Sequence, residues 1–274
     1  MITSTGILSL PNELLIQIMS TACKTQATYH SLVLTNRRLH TLTKFDQLKR
    51  LPIRLNSRTV QSFLDFITNE EEASQSVKFL WINGTSLTCI KIARLCRNLV
   101  SLACSRDILY AICGGIESLP TEGVSHKYLR ELTLFNNYNC WSFLNEIPDG
   151  RGKALCQQLT HLRLQEPISD DFGPTHFTSL THYSCSGTHI TLVGLARDLA
   201  PILALPNLKH IVFTTYYWKE GPPDQKTKLI LSVDERFRVL HFGFDNPGEF
   251  VLWCGRAWNT DCLWTRLPAM KCLS

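Results

Sequence analysis

The chain has 274 residues, of which 44% are hydrophobic and 19% charged, and its formal net charge is +5 at pH 7. This length and composition are typical of a protein that folds around an apolar core, and they exclude an intrinsically disordered chain. The basic residues are scattered, with no run longer than Arg37-Arg38, so nucleic acid is not expected as a partner.

Three short helices are predicted at the N-terminus. Pro11 opens the first helix. Its apolar face is formed by Leu14, Leu15, Ile18 and Ala22. A second apolar pattern follows at 29–33 and a third at 39–45. Because so small a unit leaves most of its surface in water, it is expected to need a partner surface.

These helices carry two short motifs. L-P-x-E-L-L-x-x-I begins at Leu10, and L-x-L-x-N-R-R-L begins at Leu32. Residues 8–46 thereby resemble the F-box, most closely the short F-boxes of fungal proteins, although the Trp that usually follows is absent. The resemblance implies docking onto the Skp-type adaptor of a cullin–RING ubiquitin ligase, while the rest of the chain presents a protein substrate. The implied adaptor-binding residues are Leu10, Pro11, Leu14, Leu15, Ile18, Leu32, Val33, Asn36 and Arg38. The alternative is an ordinary helical cap.

The template L-x-x-L-x-L recurs along the rest of the chain. It begins at Val77, Leu99, Leu129, Leu159, Leu180, Leu208 and Phe237. The intervals of about 21 to 30 residues are close to those of leucine-rich repeats. Each unit predicts one short strand whose inward side chains stack on those of the next unit.

Helical patterns at 60–67 and 192–199 lie between predicted strands, so a parallel sheet with helices on its outer side is expected. Residues 107–125 are interpreted as a loop or as an additional strand over 109–112. The predicted fold is therefore α/β: a short helical F-box (1–48) followed by a leucine-rich-repeat-like solenoid (49–244). The alternative is a generic α/β domain with Leu-rich strands.

The C-terminal segment, 245–274, does not fit the repeat. Within it, residues 245–266 contain three Trp. The segment resembles the Trp-bearing tail of fungal F-box-like proteins. It is expected to cap the end of the solenoid.

The third and fifth residues of each unit are expected on the open, concave side of the sheet. The predicted substrate-binding residues there are Phe79, Trp81, Glu131, His161, Arg163, His182, His210 and His241. Thr133, Ser184 and Val212 share this face. An exposed Phe79-Trp81 pair suits a binding hot spot, unless the F-box linker or the first helix covers it.

Three of these residues, His161, His182 and His210, occupy the same position in consecutive units. They are expected to form a ladder of coupled imidazoles with lowered pKa values. The ladder is either fortuitous or a site for a metal ion, an acidic segment or a response to mild acid.

No catalytic, cofactor or metal site is predicted. Gly150–Ala154 lacks the upstream Gly and the Ser or Thr of a phosphate loop, and no hydrolase, metalloprotease or dinucleotide motif occurs. His182 and Cys185 are expected on opposite faces of one strand and so cannot share a zinc ion.

The absence of an N-terminal signal pattern predicts an intracellular protein. No membrane partner is expected, because the most apolar window, 190–205, contains Arg197, Asp198 and Pro201. Eleven Cys without a C-x-x-C predict reduced, buried thiols and a location in the cytoplasm, the nucleus or both.

The leading interpretation is the substrate-recognition subunit of a ubiquitin ligase, which binds an unknown protein substrate and catalyses nothing itself. A leucine-rich-repeat-like scaffold that does not engage a ligase is the alternative, and an enzyme with an unfamiliar site is a distant third.

Overall fold

The computed structural model describes residues 6–23, 26–43, 45, 48–114, 126–166, 171–186, 199–216, 234–242, 248–257 and 262–265. Within these ranges the chain is an α/β protein with an eight-stranded sheet. All strands are parallel, and their order in the sheet is their order in the sequence. The prediction of an α/β fold with a parallel sheet is confirmed.

The strands coincide closely with the predicted units. They are β1 (Pro52–Leu55), β2 (Phe79–Ile82), β3 (Ser101–Cys104), β4 (Glu131–Leu134), β5 (His161–Leu164), β6 (His182–Ser186), β7 (His210–Tyr216) and β8 (Phe237–Phe242). β2 to β7 begin at the third residue of their units. β1 was not predicted, because Arg50 stands where the template requires an apolar residue.

The template also misaligned β8 by three residues. It placed Leu240 beside Ile211, whereas the residue that pairs with Ile211 is Phe237. Phe237 and Val239 are buried in the main core, and Leu240 lies in a separate apolar cluster on the other face. The template cannot distinguish these registers, since all three residues are apolar.

Helices connect many of the strands. They are α1 (Asn12–Ala22), α2 (Gln26–Thr35), α3 (Arg37–Thr43), α4 (Val60–Asn69), α5 (Glu71–Ser76), α6 (Leu87–Leu95), α7 (Arg106–Ile112), α8 (Cys140–Glu146), α9 (Arg151–Gln158) and the C-terminal helix (Glu249–Ala257). α4 confirms the helix predicted at 60–67. The additional strand considered at 109–112 is wrong, since those residues belong to α7. Most of the helix predicted at 192–199 lies outside the described residues.

The main core lies between the helices and one face of the sheet. Register pairing stacks Leu80, Leu102, Leu132 and Leu162 across β2 to β5. These leucines share one buried cluster with apolar residues of α4, α6, α8 and α9. Leu15, Met19 and Leu39 of the N-terminal helices belong to the same cluster. The N-terminal helices are therefore anchored on the core of the sheet.

The glycines of 150–154 form a helix junction. Asp149 and Gly150 have φ values of 65° and 64°, which turn the chain into α9. A Cβ atom at Gly152 would lie 2.1 Å from the carbonyl oxygen of Leu144. These glycines thus allow α9 to begin close to α8. This packing role explains the glycines without a phosphate-binding function.

The ten cysteines in the described ranges are free and buried. Burial raises the pKa of Cys96 and Cys185 to about 12, so both are thiols at neutral pH. Within the same ranges, no helix has the length and apolar character needed to cross a bilayer.

Candidate functional site

The C-terminal helix lies on the concave face of the sheet, opposite the main core. We use concave face as the name for the strand side chains that alternate with the core residues. Leu252 and Leu263 join Val212 and Leu240 there in a second buried cluster. The helix of the C-terminal segment covers this face of the sheet, and capping of one end of the solenoid by the rest of 245–274 stays a prediction.

Aromatic contacts hold the middle of the C-terminal helix. The ring of Trp81 lies 5.4 Å from that of Phe250 and 5.6 Å from that of Trp253, with edge-to-face geometry in both pairs. Phe135 supports Trp81 at 4.9 Å, and the Arg54 guanidinium stands 4.9 Å from the centre of the Phe250 ring. Such pairs stabilise a contact beyond the area that they bury.

Arg163, at the centre of the concave face, binds a carboxylate of the C-terminal helix. Its Nη2 atom donates to Glu249 Oε1 at 2.5 Å and to Thr214 Oγ1 at 2.8 Å. Its Nη1 atom donates to the Leu164 carbonyl at 2.8 Å and to Ser184 Oγ at 3.2 Å. Gln165 Nε2 donates to the second oxygen of Glu249 at 2.5 Å. Both oxygens of the carboxylate are thus bound by the sheet.

A second ion pair, of opposite polarity, joins the other end of the helix. Arg256 Nε donates to Glu131 Oε1 at 2.6 Å. Burial raises the pKa of Glu131, while Arg256 and a hydrogen bond from Ser101 act to lower it. The sheet therefore presents a buried cation for Glu249 and a buried anion for Arg256.

The predicted histidine ladder is present. The rings of His161 and His182 stack 4.2 Å apart and 9° from parallel, and those of His182 and His210 are 4.9 Å apart. Trp264 lies edge-on to His161 at 5.3 Å and to His182 at 5.5 Å. The C-terminal segment therefore covers the ladder as well.

Hydrogen bonds define the proton positions in two of the rings. Thr160 Oγ1 donates to the Arg130 carbonyl at 3.1 Å and lies 2.9 Å from His161 Nδ1. Because the hydroxyl has one proton, it accepts from Nδ1–H of a neutral His161. Thr181 repeats this arrangement with His182, at 2.8 Å. Both imidazoles are thus held as the Nδ1–H tautomer.

The pKa values of these two rings are lowered, as predicted. Burial, together with His182, Arg256 and His210, lowers the pKa of His161 to about 3. Burial, His210, Arg256 and Lys209 lower the pKa of His182 to about 4. Both rings are neutral at physiological pH. Among the described residues, no group of three or more His, Cys, Asp or Glu side chains could hold a metal ion.

The structure brings most predicted substrate-binding residues to one face. These are Phe79, Trp81, Glu131, His161, Arg163, His182 and His210. The expectation of an open face is corrected, because Trp81, Glu131, His161 and Arg163 are buried. The element that covers this face is the C-terminal helix. The sequence had suggested the F-box linker or the first helix instead. A role in binding substrate stays a prediction.

The eighth residue, His241, lies in β8 and pairs with Thr215. The template placed it beside Val212, which pairs instead with Arg238. Its side chain is outside the described part of the chain.

The N-terminal helices carry the second candidate surface. Leu15 of α1 is only 1% exposed and packs in the core, whereas Leu14 and Ile18, on another side of the helix, are 46% and 38% exposed. Leu14 and Ile18 are neighbours on the helix surface because they are four residues apart. We name the exposed apolar residues of this region the N-terminal apolar surface: Ile7, Leu8, Leu14, Ile18 and Leu34.

Two predicted adaptor-binding residues have local structural roles. Asn36 Oδ1 accepts the backbone N–H of Arg38 at 2.8 Å, which caps α3. Arg38 Nη2 donates to the Leu10 carbonyl at 3.1 Å and to Asn12 Oδ1 at 2.6 Å, and Nη1 donates to the Leu8 carbonyl. Arg38 thus fixes the start of α1 on α3. Contact of either residue with an adaptor stays a prediction.

The remaining predicted adaptor residues differ in exposure. Leu10 and Leu32 are half-buried against the core, and Pro11 is exposed. The side chain of Val33 lies outside the described residues.

The sequence prediction missed the residues that fill the concave face. These are Glu249, Phe250, Trp253, Arg256 and Trp264. The first four lie at i, i+1, i+4 and i+7, a spacing that places them on one side of a helix and could have identified that side. Comparison with protein families, curated proteins and solved structures finds no match for this chain.

Proposed function

We propose that this protein is the substrate-recognition subunit of a cullin–RING (SCF-type) ubiquitin ligase. The N-terminal helices would bind the Skp-type adaptor as an F-box, and the sheet would bind a protein substrate. The protein itself would not be an enzyme and would act in the cytoplasm, the nucleus or both.

The N-terminal apolar surface is the observation that carries this proposal. α1 already contributes Leu15 and Met19 to the core, so Leu14 and Ile18 are apolar residues beyond what folding requires. Exposed apolar residues clustered on one element are typical of a protein-binding site. Their positions in L-P-x-E-L-L-x-x-I are those that the F-box resemblance assigns to the adaptor or to packing within the F-box.

The repeating sheet supports the second half of the proposal. Each unit adds one parallel strand beside the previous one, with a leucine of β2 to β5 stacked at the same position. This is the arrangement expected of a leucine-rich-repeat-like solenoid, whose concave face is an extended binding surface. An F-box followed by such repeats is a familiar pairing of domains.

A pull-down with purified components tests the proposal. Tagged full-length protein is immobilised and incubated with purified Skp-type adaptor, and the retained adaptor is quantified after washing. We expect the adaptor to be retained at near-equal stoichiometry and, when purified cullin subunit is added, to retain the cullin as well. Absence of retention would contradict the proposal and favour the scaffold that does not engage a ligase.

A further inference from the structure

We propose that the concave face is a receptor for an amphipathic helix, occupied here by the chain's own C-terminal helix. The protein partner recognised there would present the same pattern. This pattern is an acidic residue, an adjacent aromatic residue, a second aromatic three residues later and a basic residue after three more. The inference rests on the proposed function only in treating this face as the partner-binding surface.

The carboxylate receptor is formed by the sheet itself. Arg163 donates to four acceptors. Three of them belong to the strands: the Leu164 carbonyl, Ser184 Oγ and Thr214 Oγ1. The guanidinium is therefore positioned before any helix docks. A positioned guanidinium loses little freedom when it binds a carboxylate, which favours recognition of an acidic residue.

The two ion pairs also fix the direction of the helix. Arg163 on β5 receives Glu249, and Glu131 on β4 receives Arg256. A helix docked in the opposite direction would place like charges together in a buried site. Because such contacts are costly, the face discriminates between the two directions.

The aromatic residues supply the central contact. Trp81 touches both Phe250 and Trp253, and Phe79 lies 6.5 Å from the ring of Trp253. Two aromatics three residues apart on a helix are thus accepted by a preformed aromatic platform. Aromatic anchors flanked by charged residues are typical of the residues that dominate protein interfaces.

The fit of the chain's own helix is incomplete. A partly open void of about 40 Å³ lies between helix and sheet, lined by residues that include Trp81, Glu131 and Arg163. Among the described residues, the buried indole N–H of Trp253 finds no acceptor. A partner that fills the void or supplies that acceptor would compete with the C-terminal helix. The tethered helix has a high effective concentration at the sheet. Binding of an external helix is therefore detected best when the docking of the tethered helix is weakened.

A labelled peptide tests the receptor directly. The probe is a fluorescein-labelled peptide of residues 248–265, with Ser in place of its two Cys, and binding is followed by fluorescence anisotropy. The target is the full-length chain carrying Phe250→Ala and Trp253→Ala, which weaken the docking of its own helix. We expect binding at least about ten-fold tighter than to the wild-type chain.

A control peptide has the same composition with Glu249 and Arg256 exchanged. It should bind the weakened chain at least about ten-fold less tightly, and Arg163→Met in that chain should reduce binding of the first peptide similarly. Equal binding of the two peptides, or no binding of the first, would overturn the proposal.

Hydrogen exchange of the wild-type chain provides a test that requires no variant. The amides of 249–257 should exchange at least about ten-fold faster than those of β4 and β5, because the helix must open without unfolding of the sheet. Equal exchange rates would contradict the proposal. Adaptor binding through the N-terminal helices is measured on the same variants, so failure of the receptor and failure of the ligase proposal are distinguishable.

Discussion

Arg163 and Glu249 lie 86 residues apart in the sequence and are joined by a buried ion pair of 2.5 Å. Their side chains are only 5% and 14% exposed. The pair connects the centre of the sheet with the C-terminal helix. Because both charges are largely withdrawn from water, each depends on the other for compensation.

Removing one partner should therefore be costly. Arg163→Met is expected to lower the free energy of unfolding by about 3 kcal/mol, since the Glu249 carboxylate is left buried without its cation. Glu249→Gln in the Arg163→Met chain should recover part of that loss. Urea unfolding of the wild type, both single variants and the double variant gives the coupling energy.

The more exposed pair of Arg106 and Asp107 provides the control. Its side chains are 28% and 47% exposed. Asp107→Asn should therefore change the free energy of unfolding by about 1 kcal/mol or less. A coupling energy near zero for Arg163 and Glu249 would show that their contact does not hold the helix.

Acid should destabilise the protein through the histidine ladder. The pKa values of His161 and His182 are about 3 and 4, below the ordinary value of 6.5. The unfolded chain therefore binds protons below pH 6.5 that the native ladder does not, and stability falls from pH 6.5 towards pH 4. Between pH 7 and pH 4.5 the buried His161 alone should account for about 2 kcal/mol.

The variant His161→Phe should reduce this acid sensitivity, because phenylalanine binds no proton. The urea midpoints at pH 7 and pH 4.5 measure the effect. His126→Phe serves as a comparison, since burial and Arg97 lower the pKa of His126 to about 4 at a site away from the ladder. An unchanged pH dependence in His161→Phe would refute the coupling of the ladder to stability.

The N-terminal helices should not fold alone. The main buried cluster contains Leu15, Met19 and Leu39 together with the leucines of the sheet. A peptide of residues 1–48 should therefore have little helix by circular dichroism and gain helix when purified adaptor is added. A cooperative thermal transition of the free peptide would disprove this.

The repeat register predicts which leucines matter for stability. Leu162→Ala should lower the free energy of unfolding by about 2–5 kcal/mol, because Leu162 is fully buried between Leu132 of β4 and Tyr183 of β6. Leu87→Ala is the matched control, since Leu87 is 63% exposed on α6. Equal losses for the two variants would contradict the burial of Leu162 in the core.

The sequence predicted the elements that follow a period. Strands β2 to β7 and the pairing of His161 with His182 come directly from the recurrence of L-x-x-L-x-L. β1 was not predicted because Arg50 stands where the template requires an apolar residue. The start of β8 was misjudged because Phe237, Val239 and Leu240 allow two registers.

Long-range contacts could not be predicted in the same way. Thr133, Arg163 and Val212 were expected to face solvent, yet they are buried because the C-terminal helix returns to the concave face. Nothing in the strand pattern encodes that return. Asn36 and Arg38 were assigned to a partner by resemblance, whereas their hydrogen bonds are made within the N-terminal helices.

Calorimetric titration of purified Skp-type adaptor into the full-length chain is the most direct test of whether α1 docks onto the adaptor. We expect the wild type to bind, and Leu14→Asp with Ile18→Asp to abolish binding without changing the thermal transition, because two carboxylates would be buried in an apolar interface. Leu87→Asp, at an exposed site on α6, should bind like the wild type. Unchanged affinity of the Leu14→Asp, Ile18→Asp chain would contradict docking of α1 onto the adaptor.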